Sequence, residues 1–198
     1  MAFVEPVTLE GSHVHLSPLD REHAGGLRAA AADGELWRLW YTSVPAPDKT
    51  LEWIDAALDM RAKHGALPFV VREPATRDIV GSTRYFNVDA VHRRLEIGHT
   101  WYAKRVQRTA LNTEAKLLLL THAFEMLRCI AVEFRTSYLN FASREAIARL
   151  GAKQDGVLRH HQILPDGTLR DTVVFSIVAP EWPAVKKNLA WRLARPRS

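Results

Sequence analysis

The chain has 198 residues, 47% hydrophobic and 25% charged, which suits one globular domain burying roughly 70% of its unfolded surface and excludes a disordered or fibrous chain. Its formal charge is +5 with a pI near 9.6, yet Lys186, Lys187, Arg192, Arg195 and Arg197 lie in a C-terminal stretch without acids, so the other residues are net neutral. A broad phosphate-binding face is therefore not expected, and the basic end reads as the solvated side of a helix with a frayed tail, not as a nucleic-acid site.

Met1 to Leu9 carries Glu5 and no apolar core of signal-peptide length, no later run approaches the length that spans a bilayer, and Cys129 is the only cysteine. Neither export, a membrane span nor a disulfide is expected, and the cytoplasm is the expected compartment. A first strand is expected at His13 to Ser17. Asp20 then caps a helix running into Ala29 to Ala32, and a second helix covers Leu36 to Tyr41 before Pro45 and Pro47 break it. Leu51, Ile54 and Leu58 at helical spacing predict a third helix from Leu51 to Lys63, ended by Gly65.

Leu67 to Arg72 and Ile79 to Phe86 read as strands joined by the turn-rich segment Glu73 to Asp78. In Leu95 to Tyr102, the residues Leu95, Ile97, His99 and Trp101 alternate with Glu96, Gly98, Thr100 and Tyr102, so Glu96 is expected on the face away from Leu95 and Ile97. Thr113 to Leu127 follows a helical period with two apolar stripes and should be largely buried. Ile130, Val132 and Phe134 mark a further strand, and Asn140 starts a helix ending near Gly151. A hairpin, Val157 to Ile163 and Thr172 to Val178, turns at Pro165, Asp166 and Gly167 before a C-terminal helix from Ala184 to Leu193. No repeat or linker divides the chain, so residues 1–198 read as one α/β (α+β) domain with a mixed sheet and helices on both faces.

Between Tyr102 and Lys116 a strand passes through a short polar turn into the buried helix. N–H groups at a helix start lack internal partners and the helix dipole adds positive charge, so a phosphate is stabilised there, with Arg105 and Arg108 adding charge. An ordinary helix start capped by Asn112 or Thr113 fits the same residues. The chain has no Walker loop, no Gly-x-Ser-x-Gly elbow and no Gly-x-Gly-x-x-Gly fingerprint. His13 and His15 share a strand face without a third ligand, and no metal is expected.

Gln107-Arg108-Thr109-Ala110-Leu111-Asn112-Thr113-Glu114-Ala115 resembles the pyrophosphate loop of the GNAT superfamily of CoA-dependent N-acetyltransferases, Gln/Arg-x-x-Gly-x-Gly/Ala, with the Thr-Glu-Ala helix start of its ribosomal-protein acetyltransferase (RimJ/RimL-like) branch. Arg108, Ala110 and Asn112 stand where that family usually places glycine or alanine. Asn140-Phe141-Ala142-Ser143 and Leu150-Gly151-Ala152-Lys153-Gln154-Asp155-Gly156 resemble the family's Asn-x-x-Ser and Leu-Gly-Phe/Ala-x-x-Glu/Asp-Gly blocks, in the same order and spacing. The resemblance runs from Pro68 to Phe175 and implies a mostly antiparallel sheet of six to seven strands.

It further implies an N-acetyltransferase that uses acetyl-CoA and a primary amine, either a protein N-terminus or a small molecule, by direct attack. A non-catalytic acyl-CoA-binding module or sensor is the alternative. The loop Gln107 to Thr113 would hold the diphosphate, and backbone groups near His99, Thr100 and Trp101 would hold the pantetheine arm, one N–H stabilising an oxyanion. Asn140 would contact CoA, with Ser143 near the thioester sulfur as the acid; as a pair they also fit a plain helix cap. The attacking amine must be neutral, so a base is needed, and Glu96 is the candidate; pairing with Arg93 or Arg94 is its other reading. Trp40, Tyr41, Arg84 and Tyr85 would shape the acceptor side, or belong to the core. Cys129 is expected in the core. Similar proteins are often dimeric, which leaves room for a homodimer.

Overall fold

Eight strands form one sheet: β1 (Leu9–Glu10), β2 (His15–Pro18), β3 (Leu67–Arg72), β4 (Ile79–Asp89), β5 (Arg94–Tyr102), β6 (Ala131–Ser137), β7 (Lys153–Ile163) and β8 (Leu169–Val178). The computed structural model describes residues 2–42 and 44–195, and Arg197 of the basic tail lies outside them. The strand order is β1-β2-β3-β4-β5-β6-β8-β7, and every pairing is antiparallel except that of β5 with β6. One strand exceeds the expected six to seven. It is β1, only two residues long and so too short to leave a period in the sequence.

Five α-helices flank the sheet: α1 (Ala24–Ala32), α2 (Thr50–His64), α3 (Ala110–Thr121), α4 (Phe141–Leu150) and α5 (Trp182–Ala194). Successive residues of β4 show that α2 and α3 lie on opposite faces. The Arg84 guanidinium approaches Met60 and Trp53 of α2, whereas the Tyr85 hydroxyl donates to the Leu119 carbonyl of α3 at 2.6 Å. α3 also receives the N-terminal hairpin, because its Glu114 carboxylate accepts from the Ser12 and His13 N–H groups at 3.1 and 2.5 Å. α5 packs on α3 and on the π-helical turn His122–Met126 that continues it, where Trp182 stacks 5.2 Å from Phe124 and donates through Nε1 to Glu125.

Asp20 caps a 3-10 turn, Arg21–His23, that runs into α1. Leu36 to Tyr41 is not a helix: it forms one 3-10 turn, Leu36–Arg38, after Glu35 in the left-handed region. None of that turn's residues is buried, so no packing sustains further turns. α2 ends as expected at Gly65, whose φ of 65° suits glycine. Phe69, Tyr85, Leu119, Leu120 and Phe134 are fully buried, and Cys129 lies in the same core, where burial pushes its thiol up to about 11. No described helix is long and apolar enough to cross a membrane.

β5 departs from strict alternation. Ser82 pairs with Trp101 and Arg84 with Gly98, so Thr83 faces two residues, His99 and Thr100, and His99 takes a φ of 48°. This bulge shifts the parity of the strand. Leu95 and Ile97 point into the core as expected, but His99 packs 4.8 Å from Phe86, the cross-strand partner of Glu96, and Trp101 packs 5.9 Å from Trp53 of α2. The two aromatic rings thus join the Glu96 face instead of the Ile97 face. Gly98 serves a close approach: a Cβ there would lie 2.7 Å from the Phe86 ring.

Candidate active site

β5 leaves the sheet through Ala103 and a 3-10 turn, Lys104–Val106, and the chain enters α3 at Ala110. Thr109, not Asn112 or Thr113, is the N-cap: its Oγ1 accepts from the Leu111 N–H at 3.3 Å and donates to the Val106 carbonyl at 2.7 Å. The preceding residue, Arg108, adopts the left-handed φ of 61° that a glycine would supply, at a cost of roughly 1–2 kcal/mol. Among the described residues no acceptor meets the Thr109 and Ala110 N–H groups, and Arg108 and Thr109 are exposed. Open donors at a positive helix end fit a diphosphate.

Arg105 does not supply the free charge expected of it, because Glu73 and Asp78 hold its guanidinium at 2.7 and 3.2 Å. Gln107 shapes the loop by donating from Nε2 to the Tyr102 carbonyl at 3.0 Å. Asn112 buries an Oδ1 that has no partner among the described residues, an acceptor suited to a ligand's N–H.

β5 and β6 pair only through Arg94, Leu95 and Glu96 against Ala131, Val132 and Glu133. Beyond Glu96 the strands part, and the edge of β5 that carries Gly98, His99, Thr100 and Trp101 faces the gap without a strand partner. An extended amide chain can pair with such an edge.

At the start of the gap stands Glu96, 3% exposed. Its carboxylate accepts from Asn87 Nδ2 at 2.9 Å and lies 3.4 Å from Arg135, so neither Arg93 nor Arg94 is its partner. Arg94 instead binds Glu133 at 2.5 Å, and Arg135 holds the other Glu133 oxygen at 2.9 Å. These groups line a cavity of about 190 Å³. Burial pushes the Glu96 carboxyl up to about 7 against the opposing pull of Asn87, Arg135 and Arg170. It can therefore take a proton near neutral pH. His99 is held neutral: burial, then the nearby charges of Arg84 and Arg170, lower it to about 4.

Lys116 was not legible as a special residue, although it stands four residues before Leu120 on the buried stripe of α3. Its Nζ donates to Thr100 at 2.8 Å and Thr83 at 3.4 Å behind the bulge, it makes no ion pair with any described carboxylate, and burial lowers it from 10.5 to about 7. The unfolded chain then holds more protons between those two values, so stability rises with pH across that window. Lys116→Met is expected to be more stable at pH 7, on the order of 2 kcal/mol, and to lose that rise, as denaturant unfolding at pH 7 and 10 would read. Thr83 and Thr100 stay paired with each other at 2.8 Å.

The remaining residues divide. Asn140 caps α4, its Oδ1 accepting from the Ser143 N–H at 3.0 Å, and Ser143 is half-buried on the first turn. Trp40 is exposed and meets Tyr41 edge-on at 5.6 Å. Arg84 is buried with its guanidinium 5.5 Å from the Trp53 ring centre, and burial lowers it to about 10. Tyr85 does not reach the acceptor side, being fully buried between Phe69 and His122 with its hydroxyl bonded to α3.

Residues 13–153 match the family model described as acetyltransferase (GNAT) domain. A GCN5-related N-acetyltransferase from Brucella melitensis has a similar structure, with a TM-score of 0.85 and 29% identity over 96% of this chain and 87% of that one. A probable acetyltransferase of the GNAT family from Chromobacterium violaceum ATCC 12472 shares 30% identity with a TM-score of 0.79, over 91% and 90% of the two chains. Mycobacterium smegmatis RimJ in complex with CoA-disulfide shares the fold, with a TM-score of 0.79 and 22% identity over 94% and 95%. No curated protein matches the sequence.

Proposed function

The chain belongs to the GNAT acetyltransferase family and is an acyltransferase, and from that premise we propose that it transfers an acetyl group from acetyl-CoA directly to a primary amine. Acetyl-CoA supplies the acyl group as a thioester. The tripeptide Thr113-Glu114-Ala115, just inside the start of α3, supports a place in the RimJ/RimL-like branch, with a protein N-terminus or a small molecule as acceptor.

One observation carries the reading: a single strand, β5, holds a buried carboxyl titrating near 7 at one end and runs at the other into a helix corner with open N–H groups. The loop Gln107 to Thr113 binds the diphosphate there. The free edge at His99, Thr100 and Trp101 aligns the amide arm, and Asn140 and Ser143 on the first turn of α4 complete the site, the Ser143 hydroxyl donating to the departing sulfur. Glu96 takes the proton of the amine, directly or through a water, and its Asn87 bond orients the accepting carboxylate. Trp40, Tyr41 and Arg84 shape the acceptor side.

Mass spectrometry of an amine library incubated with acetyl-CoA and the protein tests this reading. Acetylated amine and free CoA are expected. CoA binding without an acetylated product from any amine would replace the enzyme by an acyl-CoA-binding module.

A further inference from the structure

Beyond β6, on the side of the gap away from β5, lies a cavity of about 210 Å³ walled by Trp40, by Tyr138 and Leu139 after β6, and by His160, Leu169 and Arg170 of the terminal hairpin. Ser137 and Asp171 also line it, so its walls mix polar with apolar groups, and the apolar ones are open to solvent: Trp40, Leu139 and Leu169 are each 51% exposed. The cavity is smaller than the roughly 300–1,000 Å³ of a site that encloses a whole ligand, so it takes one end of a molecule whose other end lies outside.

Arg170 supplies a guanidinium to this wall. It is half-buried, its Nε has no hydrogen-bond partner, and its guanidinium makes no ion pair with any described carboxylate. The adjacent Asp171 does not neutralise it, because that carboxylate accepts from the His160 N–H at 2.7 Å and from Arg159 Nε at 2.5 Å. Those two bonds fix a bulge in β7, where Arg159, His160 and His161 face Asp171 alone and His160 takes a φ of 47°. The same guanidinium is close enough for its charge to act on Glu96 and on His99. A partly desolvated guanidinium with no ion-pair partner among the described residues, between a half-apolar cavity and a proton-accepting carboxyl, suits one ligand feature, a carboxylate, which arginine binds in a fork.

We propose that Arg170 selects the acceptor, which is a free amino acid: its carboxylate pairs with the guanidinium, its aromatic or large apolar side chain sits against Trp40, Tyr138 and Leu139, and its amine faces Glu96. This inference rests on the acetyl-transfer reading and narrows its acceptor to a carboxylate-bearing small molecule.

The test compares phenylalanine with phenylalaninamide as acceptors, and the binding of 3-phenylpropanoate with that of 3-phenylpropanamide, neither of which can be acetylated. Phenylalanine is expected to be the better acceptor by on the order of 10- to 100-fold in kcat/KM, and Arg170→Met to abolish the preference by raising the KM for phenylalanine without moving that for acetyl-CoA. Arg170→Lys recovers part of it. In calorimetry 3-phenylpropanoate binds the unaltered protein and not R170M, and the amide binds neither. Equal use of phenylalanine and its amide, or equal binding of the two phenylpropanoic compounds to the unaltered protein, overturns the proposal without any variant, so a poorly folding R170M leaves it decidable. Arg170-dependent binding of 3-phenylpropanoate with no amine acetylated would remove the acetyl-transfer reading and keep the carboxylate site.

Discussion

Glu96→Gln is expected to lower kcat by about 10²- to 10⁴-fold with the KM for acetyl-CoA unchanged, because it removes a proton acceptor and keeps the side chain's size. Glutamine can still accept from Asn87, so the geometry of the cavity survives the exchange. In the unaltered protein kcat/KM should climb through a limb near pH 7 as the buried carboxyl loses its proton, and E96Q should lack that limb. The linkage gives an independent readout. The carboxyl titrates near 4.5 in the unfolded chain and near 7 in the folded one, so its contribution to stability is full below pH 4.5 and is lost as pH rises through 7. E96Q should therefore melt no lower than the unaltered protein at pH 8. A folded variant that keeps its activity and its limb near pH 7 would exclude Glu96 as the base.

Ala110→Asp is expected to weaken CoA binding by on the order of 10- to 100-fold, read by calorimetry. Ala110 opens α3, and its N–H is among the donors that meet no acceptor among the described residues. A carboxylate there meets the diphosphate with like charge and competes for the same N–H groups. It is also favourable to the helix itself, because acids stabilise the positive end of the dipole by about 0.3–1 kcal/mol. Affinity should fall while the melting temperature holds or rises, which separates loss of a ligand site from damage to the fold. Unchanged affinity would remove the diphosphate from this corner.

Several features of the site were legible in the sequence. The loop at Gln107 to Thr113 is a contiguous motif, and it falls at a strand-to-helix corner as expected, although its cap is Thr109 and its left-handed residue is Arg108. The face of Glu96 follows from alternation with Leu95 and Ile97, three residues before the bulge interrupts the count. Past His99 that count misleads, and it placed Trp101 with the core residues of the opposite face. The depth at which Glu96 lies was not legible either, because Asn87, Glu133, Arg135 and Arg170 come to it from three other strands.

Periodicity and short motifs by themselves determined most of the element order, the mixed sheet between two helical layers and the strand-to-helix corner at Gln107 to Thr113, because those properties depend on residues near one another along the chain. The tertiary structure alone decided that Glu96 and Lys116 titrate near 7, that Arg105 is spent on Glu73 and Asp78, and that Arg170 has no ion-pair partner among the described residues beside the cavity at Trp40 and Tyr138. Charge behaviour of this kind is set by which distant groups share a space of low dielectric, and only the folded chain brings those groups together.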